Sequence, residues 1–163
     1  MIIKNGIVAD PASGLYEQMD ILVKDGKIVK IAPDISCASD AAATEKEEII
    51  DASGMIVGPG LIDTHVHFRD PGAEYKEDIL TGAVSAAAGG VTSVVLMANT
   101  NPHVDQEETL SYVLEKGAKT GIHVYTCANV TMDMEGDELT DMEALAKACL
   151  LYTSPSPRDP KTS

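Results

Sequence analysis

A chain of 163 residues, 44% of them hydrophobic, has material for one packed domain and a fraction of a second, and is too apolar to be disordered over most of its length. Its formal charge of −14 suits a soluble protein and argues against nucleic acid or an anionic membrane surface as partner, because both recruit basic chains. Cys37, Cys127 and Cys149 lie far apart with no C-x-x-C pair, which disfavours a disulfide framework or a thiolate zinc site.

The start, "MIIKNGIVADP", is too short and too polar for a signal-peptide core, and no apolar run reaches the roughly 18 residues of a membrane helix. The chain therefore reads as cytoplasmic. "MIIKNGIV" and "DILVKDGKIVKIAP" carry the β-branched residues of strands, and Asp25-Gly26 is a hairpin signal inside the second. Residues 37–48, polar and alanine-rich, predict a surface loop or short helix. "EIIDASGMIVG" predicts two short strands about a turn at Ser53-Gly54. Residues 1–57 thus form a small β-rich module.

The pattern changes at Pro59-Gly60. Strands are predicted at 61–68, 91–98 and 122–130, alternating with helices at 76–90, 105–121 and about 139–148. The first helix ends at Gly89-Gly90, and Thr140 is the expected N-cap of the third. Strand then helix, three times over, means parallel βαβ units over 58–148. Periodicity alone leaves open whether the sheet is doubly wound or closes into a barrel. No G-x-G-x-x-G or Walker sequence follows a strand, which lowers a nucleotide-binding reading.

The chemistry concentrates in "GLIDTHVHFRDPG", residues 60–72. Residues two apart on a strand share a face, so Asp63, His65 and His67 line one side, with Arg69 at or just past the strand end. Two imidazoles at i and i+2 can reach one metal ion, although a site usually needs three or four ligands. Taken by itself, an H-x-H pair serves as readily as two ordinary strand-end residues. Arg69 beside it suits an anionic substrate, since a guanidinium grips a carboxylate with two parallel hydrogen bonds.

The run "PGLIDTHVHFRDPGAEYKEDILTGAVSAAAGGVTSVVLMANTNP" resembles the dihydroorotases of the metal-dependent amidohydrolase superfamily, in the class related to bacterial type I enzymes. The resemblance extends from about residue 1 to about residue 148, and "HFRDPG-x-EYKEDI" followed by "NTNP" is its most specific part. It implies an α/β fold: the N-terminal part of a (β/α)8 TIM barrel, about three βα units, preceded by a small β-sandwich-type module. It implies that His65 and His67 are zinc ligands and that Arg69 and Asn99 hold the carboxylate of dihydroorotate or carbamoyl aspartate. Judged by its residues alone, Asn99 is a turn residue, because "NTNP" is turn chemistry. Ala98 stands where the family usually has proline.

The implied reaction is the reversible ring closure of N-carbamoyl-L-aspartate, with its general base and further metal ligands on later strands. A complete barrel takes about 250 residues. The family also includes non-catalytic members that scaffold aspartate transcarbamoylase, and related allantoinases and dihydropyrimidinases that differ after the second histidine. Among other residues, Asp63 reads as an acceptor for a ligand histidine or as an inward-facing barrel residue. Asp70, Tyr75 and Lys76 belong to the signature without a deduced role, and His103 and His123 as surface or edge residues. The ending, "CLLYTSPSPRDPKTS" (149–163), breaks the helical pattern and looks like the translation of a sequencing adapter, so it is expected to be a non-native tail. A half-built barrel with part of a metal site is expected neither to turn over substrate nor to be readily soluble.

Overall fold

The computed structural model describes residues 1–35, 48–148 and 152–154, grouped in two compact units, Met1–Pro59 and Gly60–Ser163. The first unit is a five-stranded mixed sheet of β1 (Ile2–Asp10), β2 (Leu15–Lys24), β3 (Lys27–Ala32), β4 (Ile49–Asp51) and β5 (Ile56–Val57), in the order β3-β2-β1-β4 with β5 also paired to β1. Asp25 and Gly26 both adopt positive φ, +50° and +70°, as the tight β2–β3 hairpin demands. Gly54, at φ +77°, makes the expected turn between β4 and β5. Among the described residues these five strands form a single sheet. Nearly all of the 37–48 stretch lies outside the described residues.

Inside this unit Asp20 is buried and accepts the backbone N–H groups of Asn5 and Ile35, each at 2.9 Å, with Lys4 Nζ at 3.2 Å. Burial pushes its carboxyl upward, but those two N–H groups and Lys4 outweigh it and hold the group below the usual carboxylate range. The carboxylate thereby pins the segment after β3 to the β1–β2 pair.

The second unit alternates strand and helix as the sequence predicts, β6 (Leu61–Val66), α1 (Ile79–Ala88), β7 (Val91–Leu96), α2 (Glu107–Gly117), β8 (His123–Asn129) and α3 (Met142–Lys147), and adds a short strand not predicted, β9 (Tyr152–Ser154). The strands are parallel in the order β6-β7-β8-β9. β9 falls in the segment expected to be a tail, whose other residues, apart from those three, lie outside the described set. Val94, Val95 and Leu96 are buried together, as fits an inner parallel strand. Val94 and Leu96 pack with Phe68, Ile79, Val104, Leu110, Val113 and Leu145 into the core. β6 is an edge, and its Leu61 and Ile62 are 61% and 67% exposed. Among the described residues no helix is long and apolar enough to cross a membrane.

Most elements are shorter than predicted, and two of the differences have identifiable reasons. β6 ends at Val66 rather than 68 because Phe68 turns into the core against Gly82, where a Cβ would stand 2.5 Å from the Phe68 ring. The N-cap of α3 is Asp141, whose carboxylate accepts the Ala144 N–H at 2.9 Å. Thr140 is buried instead, its hydroxyl donating to the Asn129 carbonyl at 2.9 Å. α1 is closed at its start by a reciprocal cap between Asp78 and Thr81 and at its end by Gly90 at φ +79°.

Candidate metal and substrate site

The C-terminal ends of parallel strands are where α/β folds gather chemistry, and β6 and β7 deliver their polar residues there. His65 is exposed and His67 half-buried, with ring centroids 5.2 Å apart at 67°. His67 lies just past β6, on a ladder that continues one bond further through Met97 N–H to the Val66 carbonyl at 3.0 Å. Its Nδ1 lies 2.9 Å from Asn99 Oδ1, and with that amide oxygen as acceptor the proton sits on Nδ1 and Nε2 keeps its lone pair. Sequence reasoning alone made Asn99 a turn residue; the fold brings its amide onto a histidine of the pair.

Asp63 behaves differently from expectation. Its Oδ1 accepts the backbone N–H of His65 at 3.0 Å, so it shapes the strand rather than orienting an imidazole. Arg69 is exposed in the left-handed region, φ +61°, with its carbonyl accepting the Ala73 N–H at 2.8 Å. Among the described residues its guanidinium has no ion-pair partner.

Asp70 explains how that loop is held. It is 0% exposed and accepts from Ile79 N–H at 3.0 Å, Tyr112 Oη at 2.8 Å and Lys116 Nζ at 2.6 Å. Burial works against the Lys116 charge, but the hydrogen bonds to Asp70 and Tyr112 prevail and raise its pKa above the ordinary lysine value. One carboxylate thus ties the segment after Phe68 to the first turn of α1 and the face of α2. Tyr112 and Lys116 escaped the sequence reading; their i,i+4 spacing on a helix was the available signal.

The loops bearing Arg69 and Asn99 are also joined directly. Asn101 N–H donates to the Pro71 carbonyl at 3.1 Å. Gly72, at φ +100°, lies so close that a Cβ would overlap the Asn101 carbonyl oxygen. The "RDPG" and "NTNP" segments are therefore one packed rim. Tyr75 and Lys76 are exposed, with the ammonium 5.4 Å over the ring. His123 is exposed and stacked on Tyr125, as expected. His103, expected at the surface, is half-buried instead, and its Nδ1 is buried without a hydrogen-bond partner.

The segments after β6 and β7 thus carry two imidazoles 5.2 Å apart, an amide 2.9 Å from one of them and the exposed Arg69. The Dihydro-orotase-like family model matches residues 54–155. The chain belongs to that family. It is 53% identical over 148 residues to a dihydroorotase of Streptococcus pneumoniae and 51% identical to one of Streptococcus thermophilus, in each case over 91% of this chain. The dihydroorotase-like chain spans about a third, 33%, of the length of these curated relatives. Among solved structures it resembles a D-hydantoinase, 32% identical with a TM-score of 0.66 over 90% of this chain and 30% of that one. A dihydropyrimidinase from Brevibacillus agri is 33% identical, with a TM-score of 0.62 over 80% of this chain and 27% of that one. The three βα units are accordingly the opening of an amidohydrolase TIM barrel.

Proposed function

We propose that this chain forms the first part of a zinc-dependent dihydroorotase, interconverting dihydroorotate and N-carbamoyl-L-aspartate in pyrimidine synthesis. In the hydrolytic direction water adds to the ring amide carbonyl and the ring C–N bond breaks. A carboxylate is released at one end and a protonated carbamoyl nitrogen at the other; ring closure returns the water. The chemistry that zinc supplies is polarisation of that carbonyl and acidification of water toward a pKa of roughly 7. His65 and His67 are the proposed ligands from this chain. The remaining ligands and the proton-transferring carboxylate are assigned to the two-thirds of the relatives that the chain does not span.

The observation that carries this reading is the hydrogen bond from His67 Nδ1 to Asn99 Oδ1. With Nδ1 as donor, Nε2 is left for a metal ion, and the exposed Asn99 amide keeps its N–H groups for a substrate carboxylate. Arg69 takes the same carboxylate through its guanidinium fork. A second reading, hydrolysis of hydantoins or dihydropyrimidines, is supported by the solved neighbours at 32–33% identity. Those rings carry no carboxylate at this position and give Arg69 no task. The higher identity to dihydroorotases also favours the first reading.

The test is to replace the matching segment of the Streptococcus pneumoniae relative with residues 1–148 of this chain. The hybrid is expected to hydrolyse dihydroorotate, to lose activity to a chelator and to regain it with zinc. A folded hybrid that is inert, or that prefers dihydrouracil, contradicts the proposal.

A further inference from the structure

The loops after β7 and β8 bring together three residues outside that site. His103, Asp105 and Asp133 each present a ligand atom within 4.8 Å of the others. Asp105 is only 6% exposed, and its Oδ2 accepts the Asp133 backbone N–H at 2.8 Å. Among the described residues no Lys, Arg or His lies within 4.0 Å of its carboxylate. His103 Nδ1 is buried without a hydrogen-bond partner. A buried carboxylate with no counter-charge and a buried imidazole nitrogen with no partner are each costly alone. Side by side, they are two deficits that one cation removes.

We propose that His103, Asp105 and Asp133 form a binding site for a divalent transition-metal ion, sharing no residue with the His65–His67 pair. One imidazole nitrogen with two carboxylates is a donor set suited to zinc rather than to calcium, which takes six to eight oxygens. Asp133 is exposed, leaving an entry path and room for water to complete the coordination. The ion would join the loop that begins near Asn99 to the segment following β8, as a staple between neighbouring rim loops. Its role is structural support of the rim.

The test is calorimetric titration of the whole 163-residue chain with zinc chloride. The unsubstituted chain is compared with Asp133→Asn, His103→Gln and the double variant His65→Ala/His67→Ala. Asp133→Asn and His103→Gln should each remove one zinc equivalent or weaken it at least tenfold, while the His65/His67 variant retains that equivalent. Because Asp133 is exposed, its substitution should leave the far-UV circular dichroism unchanged, so a loss of zinc there reports binding and not unfolding. Unchanged stoichiometry and affinity in both Asp133→Asn and His103→Gln would overturn the site. So would a natively folded His65→Ala/His67→Ala chain that takes up no zinc.

Discussion

Replacing Asp70 with asparagine probes how the candidate substrate loop is held. Asp70 is wholly buried and takes three donors, from Ile79, Tyr112 and Lys116. In Asp70→Asn the side-chain oxygen can still serve Ile79 N–H, and the Tyr112 hydroxyl can rotate to accept from the new amide. What is lost is the charge facing Lys116, whose side chain is 21% exposed and can partly recover water. Breaking a fully buried pair costs about 3–5 kcal/mol, so this relieved case should cost about 2 kcal/mol. Lys116→Met leaves the buried carboxylate with two neutral donors and should cost about 3 kcal/mol, with the double variant clearly less than additive. Urea unfolding followed by far-UV circular dichroism is the assay, since every helix among the described residues belongs to the second unit. The pH dependence has a fixed sign. The Lys116 pKa is higher in the folded chain, so its stabilisation is complete below the ordinary lysine range, near pH 10.4, and is lost as pH rises through the folded value. Asp70→Asn should flatten that alkaline decline. A change below about 0.5 kcal/mol, the scale of a surface substitution, would refute the reasoning.

Other outcomes follow from neighbouring contacts. The Asp20 carboxyl is held low in the folded first unit, so its stabilisation is present above the usual carboxylate range and is lost as pH falls through the folded value. Asp20→Asn should flatten the acid limb of a pH–stability curve read at the β-sheet signal. Gly72→Ala combines a φ of +100° with a clash on the Asn101 carbonyl, and should destabilise the second unit by roughly 2 kcal/mol or more in urea unfolding. Asn99→Ala removes the acceptor that fixes the His67 tautomer, and should weaken zinc binding at the His65–His67 pair about 10–100-fold by calorimetry in the hybrid enzyme.

The sequence made some of this legible because the signals were local. Asp25-Gly26 specified its hairpin through two positive φ values, and the alternation of "LIDTHVHF" put both histidines at the end of one strand. The resemblance then singled out Arg69 and Asn99, which periodicity alone left as loop residues. What stayed hidden depended on distant partners. Asp70 acquires its role from Tyr112, 42 positions later, and from Lys116 on the same helix. Thr140 has the chemistry of an N-cap, yet the carbonyl at the end of β8 takes its hydroxyl and Asp141 caps instead. His103 looked like a surface residue because nothing in its own segment announces Asp133, supplied by the loop after the next strand.

The most direct test of the central claim is the kcat/KM for dihydroorotate in the hybrid enzyme carrying Arg69→Met, measured with zinc content alongside. A guanidinium clamp on the substrate carboxylate predicts a fall of about 100-fold with zinc content unchanged, the size of one or two hydrogen bonds to a charged group. Arg69→Lys should recover part of that loss, since it keeps the charge without the fork. An unchanged kcat/KM in Arg69→Met would contradict the carboxylate clamp and with it the assignment of dihydroorotate as substrate.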